Sequence, residues 1–500
     1  MNFKVEELLA IAPLILMVVM GCAILVAETF IKGRSRAGLA WLGVAGSLGT
    51  VALIVNQWAL AAQPQSIFQG MLVVDRMSLL FDATFVISGI ITILVSHDYM
   101  QEHGFEFGEF YPLVLFTVSG MMMVSHATHL LSLLIGIETM SIGAYVLTGC
   151  WRGNPRSTEG ALKYYLMGAF ATGFMVYGMA LIYGSTGGAL TYEGISAKIG
   201  AVGSEPIFLV GFYFILGALI FKVAAVPFHM WAPDAYEGAP SNVTGFMAAG
   251  VKAAAFAGLL RLMQSAFGGT QLAVDGSGWV EILSIVAMLT MILGNLAALR
   301  QENVKRMLAY SSVAHAGYVL VGFCALGLGL SGADSSVTFY LIAYTFTTLG
   351  SFAVVAWVGR RNDERLTVDS WAGLASERPG VALAMTIFLL SLGGLPPTAG
   401  FFGKFYLFRI AMGSDKLYPL VIVGVLSSVV SVYYYLRIVV AMYFQEPIGQ
   451  RQAYASPASR VALLVAAFAV VALGVLPGTV IDWASGGGKA VVDAVAALAR

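Results

Sequence analysis

Apolar stretches recur along the whole chain, each bounded by charged, glycine-rich or proline-containing breaks. A helix crossing the hydrocarbon core of a bilayer needs about 20 such residues. On that rule the pattern predicts about fourteen transmembrane helices. Their spans are 8–31, 37–57, 73–96, 110–125, 127–150, 161–184, 206–230, 240–265, 279–299, 303–326, 336–359, 381–412, 417–444 and 460–481. The alternating segments of a membrane barrel are not seen, and in lipid only helices and closed barrels satisfy their own backbone. The expected fold class is therefore an all-α integral membrane protein. Met1 to Glu7 carries two acids and one lysine rather than a basic leader, so the first stretch reads as a retained span.

Composition agrees. Of 500 residues, 59% are hydrophobic and 11% charged, and the mean hydropathy is +0.84, where a soluble domain has about 25% charged residues. Lys+Arg 27 balances Asp+Glu 27. That balance excludes nucleic-acid binding through a basic surface and, with the high hydrophobicity, excludes disorder. The three cysteines, Cys22, Cys150 and Cys324, are far apart and form no CxxC. They argue against cysteine-ligated zinc or iron–sulfur sites and against a disulfide framework.

The basic residues alternate between loops. One set holds Lys32, Arg34, Arg36, Arg152, Arg156, Arg300, Lys305, Arg306, Arg360, Arg361, Arg365, Arg378, Arg451 and Arg460; the other holds only Lys4, Arg76, Lys198, Lys416, Lys489 and Arg500. By the positive-inside rule the first set is cytoplasmic and both termini lie outside. The acidic loop 97–109 departs from the pattern, but acids weigh little in that rule.

An internal repeat is visible. GAYVLTG at 143–149 resembles AGYVLVG at 316–322, KYYL at 163–166 resembles TFYL at 338–341, and GLLRL at 258–262 resembles YYLRI at 434–438. The copies lie five helices apart, an odd number, so the second copy is inverted. This divides the chain into an N-terminal three-helix segment (1–109), a first five-helix repeat (110–265), a second, inverted one (279–444) and a C-terminal span with its tail (445–500). Two helices are interrupted at corresponding places. FKVAAVPFHMWAPD breaks at Pro227 after Lys222, and SLGGLPPTAGFFGKFYLF breaks at Pro396 and Pro397 before Lys404. Proline removes a backbone donor, and paired breaks in inverted repeats point to a transport site near the membrane midplane.

Charges well inside spans are few: Glu138, Lys163, Lys222, Lys252 and Lys404. Each costs roughly 2.5–3.5 kcal/mol at a helix centre, so it faces a partner or a cavity. Burial pulls a lysine toward neutrality and a nearby carboxylate opposes that. A Glu138–Lys222 or Glu138–Lys163 pair would therefore act as a proton switch. The plainer readings are that Lys163 snorkels to the interface, that Lys222 and Lys404 cap carbonyls freed by the breaks, and that Glu28 and Asp82 are structural. His315 lies mid-span, where an imidazole suits a proton relay or a hydrogen-bonded packing role. His229 reads as structural or as lining a channel mouth, and Tyr433, Tyr434 and Tyr435 could orient water but read mostly as packing. Carried across the repeat, Glu138 falls on Ser311, Lys163 on Thr338 and Lys252 on Ser428. That asymmetry suggests uptake in one half and release in the other, bridged through Lys252, His315 and Lys404. Gly327, Gly329 and Gly332 match GxGxxG but follow a helix rather than a strand, so they do not mark a nucleotide site.

FKVAAVPFHMWAPDAYEGAPSNVTGFMAAGVKAAAFAGLLR, LGNLAALRQENVKRMLAYSSVAHAGYVLVG and SLGGLPPTAGFFGKFYLF resemble the proton-translocating, antiporter-like membrane subunits of type I NADH:quinone oxidoreductase (respiratory complex I). The resemblance covers nearly the whole chain and is greatest to the N type, the counterpart of mitochondrial subunit 2. The largest antiporter-like subunit carries a long C-terminal arm, whereas this chain ends soon after span fourteen, and the M type usually has glutamate where Lys404 stands. The resemblance implies an ion pair of Glu138 with Lys222, and proton-transfer roles for Lys163, Lys252 and Lys404. It implies no cofactor in this chain, with NADH, flavin, iron–sulfur clusters and quinone held by partner subunits. It also implies M-type and K-type neighbours and a bacterial inner membrane, with a mitochondrial inner membrane less in keeping, so that both termini would be periplasmic. A subunit of a multisubunit cation/proton antiporter is the alternative with the same architecture.

Overall fold

The computed structural model describes residues 4–31, 35–268, 271–274, 278–359, 364–447 and 457–485. Lys32, Arg34, Arg360, Arg361, Arg451, Lys489 and Arg500 of the charge pattern lie outside the described residues. Eleven described helices are long and apolar enough to cross a membrane: Ala12–Phe30, Ala37–Gln57, Arg76–His103, Leu130–Thr148, Pro155–Ser185, Ser241–Phe267, Trp279–Leu299, Val304–Gly327, Ala333–Val358, Asp415–Phe444 and Pro457–Val475. Three shorter apolar helices, Phe110–His126, Pro206–Lys222 and Pro379–Gly393, fill the remaining places. In chain order they follow the fourteen expected spans one for one, and are numbered so below.

Spans 3, 4, 8, 10 and 11 form the centre, and the others present an apolar face outward. Composition explains the placement. The run FMAAGVKAAAFAGLL of span 8 is built of small residues, which let neighbouring backbones approach. A Cβ on Gly258 would lie 2.6 Å from Val124 of span 4, and one on Gly250 would lie 2.8 Å from Ser88 of span 3. The same device joins spans 4 and 5 (Gly120 against Met140) and spans 9 and 10 (Gly294 against Ala314). Span 8 is not α-helical throughout. Met247–Val251, immediately before Lys252, forms a π-helical turn, an irregularity found mostly at functional sites.

Both breaks interrupt their helices. Span 7 leaves the helix at Lys222 and re-enters it over Trp231–Gly238. Span 12 stops at Gly393 and resumes over Ala399–Ala411. Several short elements were not expected. Among them, a hairpin pairs Gln65–Ile67 with Leu72–Val74 before span 3, a helix over Tyr192–Val202 follows span 6, and a separate helix, Pro477–Ala484, follows span 14. Three-residue strands are too short for an alternating pattern to register. The extra helix carries too few apolar residues to count as a span.

Candidate functional site

The first cluster forms where spans 5, 6 and 7 meet. Glu138 and Ser141 lie one turn apart on span 5, and Tyr145 follows on the same face. The buried Lys222, 4% exposed, sits 3.8 Å from the Glu138 carboxylate, which is 31% exposed. Its ammonium donates to Ser141 Oγ at 2.8 Å and to the Tyr145 hydroxyl at 3.2 Å. Thr172 of span 6 donates to Glu138 at 2.6 Å. Glu138 has no basic residue within a turn of its own helix, and here its partner comes from another one. Of the two lysines considered for it, Lys222 is the one in reach. Lys163, 44% exposed, instead pairs with Glu159 at 2.7 Å and with Asp234 at 2.9 Å, at the far end of broken span 7.

The two breaks handle their freed backbone differently. At Pro227 the Phe221 carbonyl accepts from Trp231 Nε1 at 3.0 Å, and Val226 N donates to Thr290 at 3.0 Å. Other protein groups thus satisfy this backbone, and Lys222 is left to bind side chains. At Pro396 and Pro397, Lys404 itself donates to the Leu392 and Gly393 carbonyls at 3.0 and 3.2 Å, and to Ser428 Oγ at 2.8 Å. The capping role raised for both lysines applies to Lys404 only.

Between the breaks lies a buried polar line. Lys252 of span 8 donates to the Ser312 carbonyl at 3.0 Å and to its hydroxyl, and faces the Tyr236 ring at 5.9 Å. His315, one turn beyond Ser312 on span 10, has Nδ1 2.6 Å from the Tyr340 hydroxyl and Nε2 3.2 Å from the Tyr435 hydroxyl. Tyr435 also bonds Ser311. Lys404 sits 4.7 Å over the ring of Tyr318. Tyr318 is joined through Asn295 to Tyr434, at 3.3 and 2.8 Å. Among the described residues, no carboxylate lies within ion-pair distance of Lys252 or Lys404. A cavity of about 10 Å³ opens beside His315, lined by Tyr340, Thr347 and Ser391, close to the room one water needs. Amines, imidazole and phenols within a few ångströms of one another can pass protons, with water or a side-chain rotation closing each gap.

Tyr340, Ser312 and Asn295 are partners that sequence reasoning did not select, and Tyr435 was read mostly as packing. Hydroxyls and amides inside spans are common, and nothing in their spacing marks these four. Ser141 and Tyr145 could have been found, because they share the helical face of Glu138. His229 lies at the first break with its Nδ1 buried and unpartnered among the described residues. Thr338 bonds back to its own helix, at the Asp334 carbonyl. Glu28 pairs with Arg36 at 2.8 Å, and Asp82 with His126 at 2.8 Å.

A helical membrane subunit with two broken spans and an acid–amine pair beside one of them is an antiporter-type architecture. The sequence model of the NADH:quinone oxidoreductase/Mrp antiporter transmembrane family matches residues 127–431, and the chain belongs to that family. Within it the chain groups with the subunit N proteins. It is 43% identical over 488 residues to NADH-quinone oxidoreductase subunit N of Trichlorobacter lovleyi, covering 96% of this chain and 97% of the relative. A chain in the structure of respiratory complex I from Thermus thermophilus with bound aureothin superposes with a TM-score of 0.80 at 32% identity, covering 95% of this chain and 100% of that one. A chain of the Mrp complex from Dietzia superposes at 0.82 with 19% identity, covering 99% of each, which shows a common fold.

Proposed function

We propose that the chain is the proton-translocating N-type membrane subunit of a bacterial NADH:quinone oxidoreductase. One observation carries the reading: three lysines and a histidine are buried across the middle of the bundle, and among the described residues only one of the lysines has a carboxylate beside it. Fixed structural charges in lipid come paired; unpaired amines that keep hydroxyl and phenol neighbours suit protons that come and go. Glu138 holds a proton on Lys222 by direct attraction. Drawing the carboxylate away leaves that charge unopposed, and the proton moves inward to Lys252. His315, between Tyr340 and Tyr435, relays it toward Lys404. Lys163, tied to Asp234, adjusts the second half of span 7 rather than carrying the proton itself.

In this reading NADH oxidation and quinone reduction take place in partner subunits, which hold the flavin, the iron–sulfur clusters and the quinone. This chain supplies no redox group. Other membrane subunits, including M-type and K-type neighbours, flank it in the inner membrane, and both of its termini face the periplasm. Residues 110–265 and 279–444 act as two opposed halves, with 1–109 and 445–500 as flanking segments. The test is gentle detergent extraction, mass spectrometry of the accompanying chains, and reconstitution into vesicles. The reading expects redox subunits in the extract and NADH-driven proton uptake that Lys222→Met lowers. Sodium-dependent exchange without NADH, and without redox partners, would refute it in favour of a cation/proton antiporter.

A further inference from the structure

A fourth buried amine lies outside this line. Lys305, at the start of span 10, is wholly buried, and its ammonium is 3.6 Å from Glu364, in the loop between spans 11 and 12. It also donates to the Ala239 carbonyl at 2.6 Å. Glu364 accepts from Tyr99 of span 3, and from the Ser241 hydroxyl at 3.3 Å. Burial alone would push the Glu364 carboxyl up; Lys305 and the two hydroxyls outweigh it and hold the group below the usual carboxylate range.

Two further features give this pair a direction. On one side Tyr99 lines a narrow cleft between the ends of spans 3, 11 and 14, bordered also by Asp98, Glu102 and His103. Its volume is about 40 Å³, room for a few waters at roughly 10–15 Å³ each. On the other side Lys305 and Ser312 are seven residues apart on one helix. They therefore share a face about 10 Å apart, and Ser312 accepts directly from Lys252.

We propose that Glu364 and Lys305 form a second proton-uptake pair that, alternating with Lys222, loads Lys252 from the water on the Glu364 side of the membrane. When Lys252 has passed its proton on, the Lys305 ammonium gives one to the Lys252 amine across the two intervening turns, with water or a side-chain rotation closing the gap. The neutral Lys305 then takes a replacement through Glu364 and Tyr99 from water entering the cleft. One proton enters for each one that leaves, and no other group changes.

The proposal rests on the proton-translocating reading, so its test separates the two. Vesicle-reconstituted complexes carrying Glu364→Gln, Lys305→Met or Lys252→Met are compared for protons taken up per NADH oxidised, normalised to assembled complex. Glu364→Gln and Lys305→Met should each slow uptake at least fivefold, and Glu364→Asp should recover to within twofold of the parent, which a purely structural anchor does not require. Normal uptake in Glu364→Gln and Lys305→Met beside a silent Lys252→Met overturns the uptake pair and leaves the proton-translocating reading standing. Normal uptake in all three overturns both. Should Glu364→Gln fail to assemble, Tyr99→Phe decides, because it keeps the ion pair: slowed uptake supports the pair and unchanged uptake overturns it.

Discussion

Replacing Glu138 by Gln removes one charge and little else. The amide can still accept from Thr172, which bonds Glu138 at 2.6 Å, and its volume is nearly the same. What disappears is the attraction to Lys222 at 3.8 Å, roughly 4 kcal/mol at an effective dielectric constant near 20. Glu138 is 31% exposed, and screening at such a position reduces that figure to about 2 kcal/mol. A change of that size alters the balance between charged and neutral Lys222 by about 30-fold. Lys222 would then hold its proton too weakly to serve as a loaded donor. Proton uptake per NADH, measured in vesicles with a trapped pH dye, should fall several-fold at unchanged assembly, and Glu138→Asp should keep a larger share. Full stoichiometry in a correctly assembled Glu138→Gln complex would refute the switch.

Tyr435→Phe removes the hydroxyl that joins His315 to Ser311 but keeps the ring, so pumping should slow several-fold while thermal stability falls by only about 1 kcal/mol; equal loss of both would make Tyr435 a packing residue. Gly120→Val places a side chain where a Cβ already lies 2.5 Å from the Met140 backbone nitrogen, and prising spans 4 and 5 apart should cost at least about 1–3 kcal/mol, read as a lower unfolding temperature in detergent. At the opposite end of the bundle from Glu364, Asp75 is held at about 2: burial pushes it up, but the Arg261 guanidinium, 2.8 Å away, outweighs it. Because the folded value lies below the ordinary 3.8, the pair stabilises the fold fully above about pH 5, and about 2 kcal/mol of that is lost as pH falls through 2. Asp75→Asn should therefore melt earlier at pH 7 and lose the acid dependence; an unchanged acid profile would contradict it.

The fourteen spans were legible because hydrocarbon imposes one length and one polarity on every crossing. The central line was legible in part for the same reason. A lysine or glutamate in lipid is costly enough to stand out, which is how Glu138, Lys222, Lys252 and Lys404 were singled out. A hydroxyl costs little there, so Tyr340 and Ser312 were invisible, and Tyr435 read as packing, until three helices brought them to His315 and Lys252. Lys305 was hidden for the opposite reason. At the edge of a span it resembles an orienting loop charge, and only the return of Glu364 from the loop after span 11 shows it to be buried and paired. Lys163 reads as buried from its place in the run, but span 6 turns it outward to Asp234. Which lysine answers Glu138 depends on how span 7 breaks, a tertiary property that no local pattern contains.

Lys252 bears most of the weight, as the central amine of the line, which like Lys404 has no carboxylate within reach among the described residues. The decisive measurement is the number of protons moved per NADH oxidised by the intact complex carrying Lys252→Met, at an assembly level matched to the parent. Loss of the protons moved through this chain is the predicted result. An unchanged ratio would contradict a path through the buried amines.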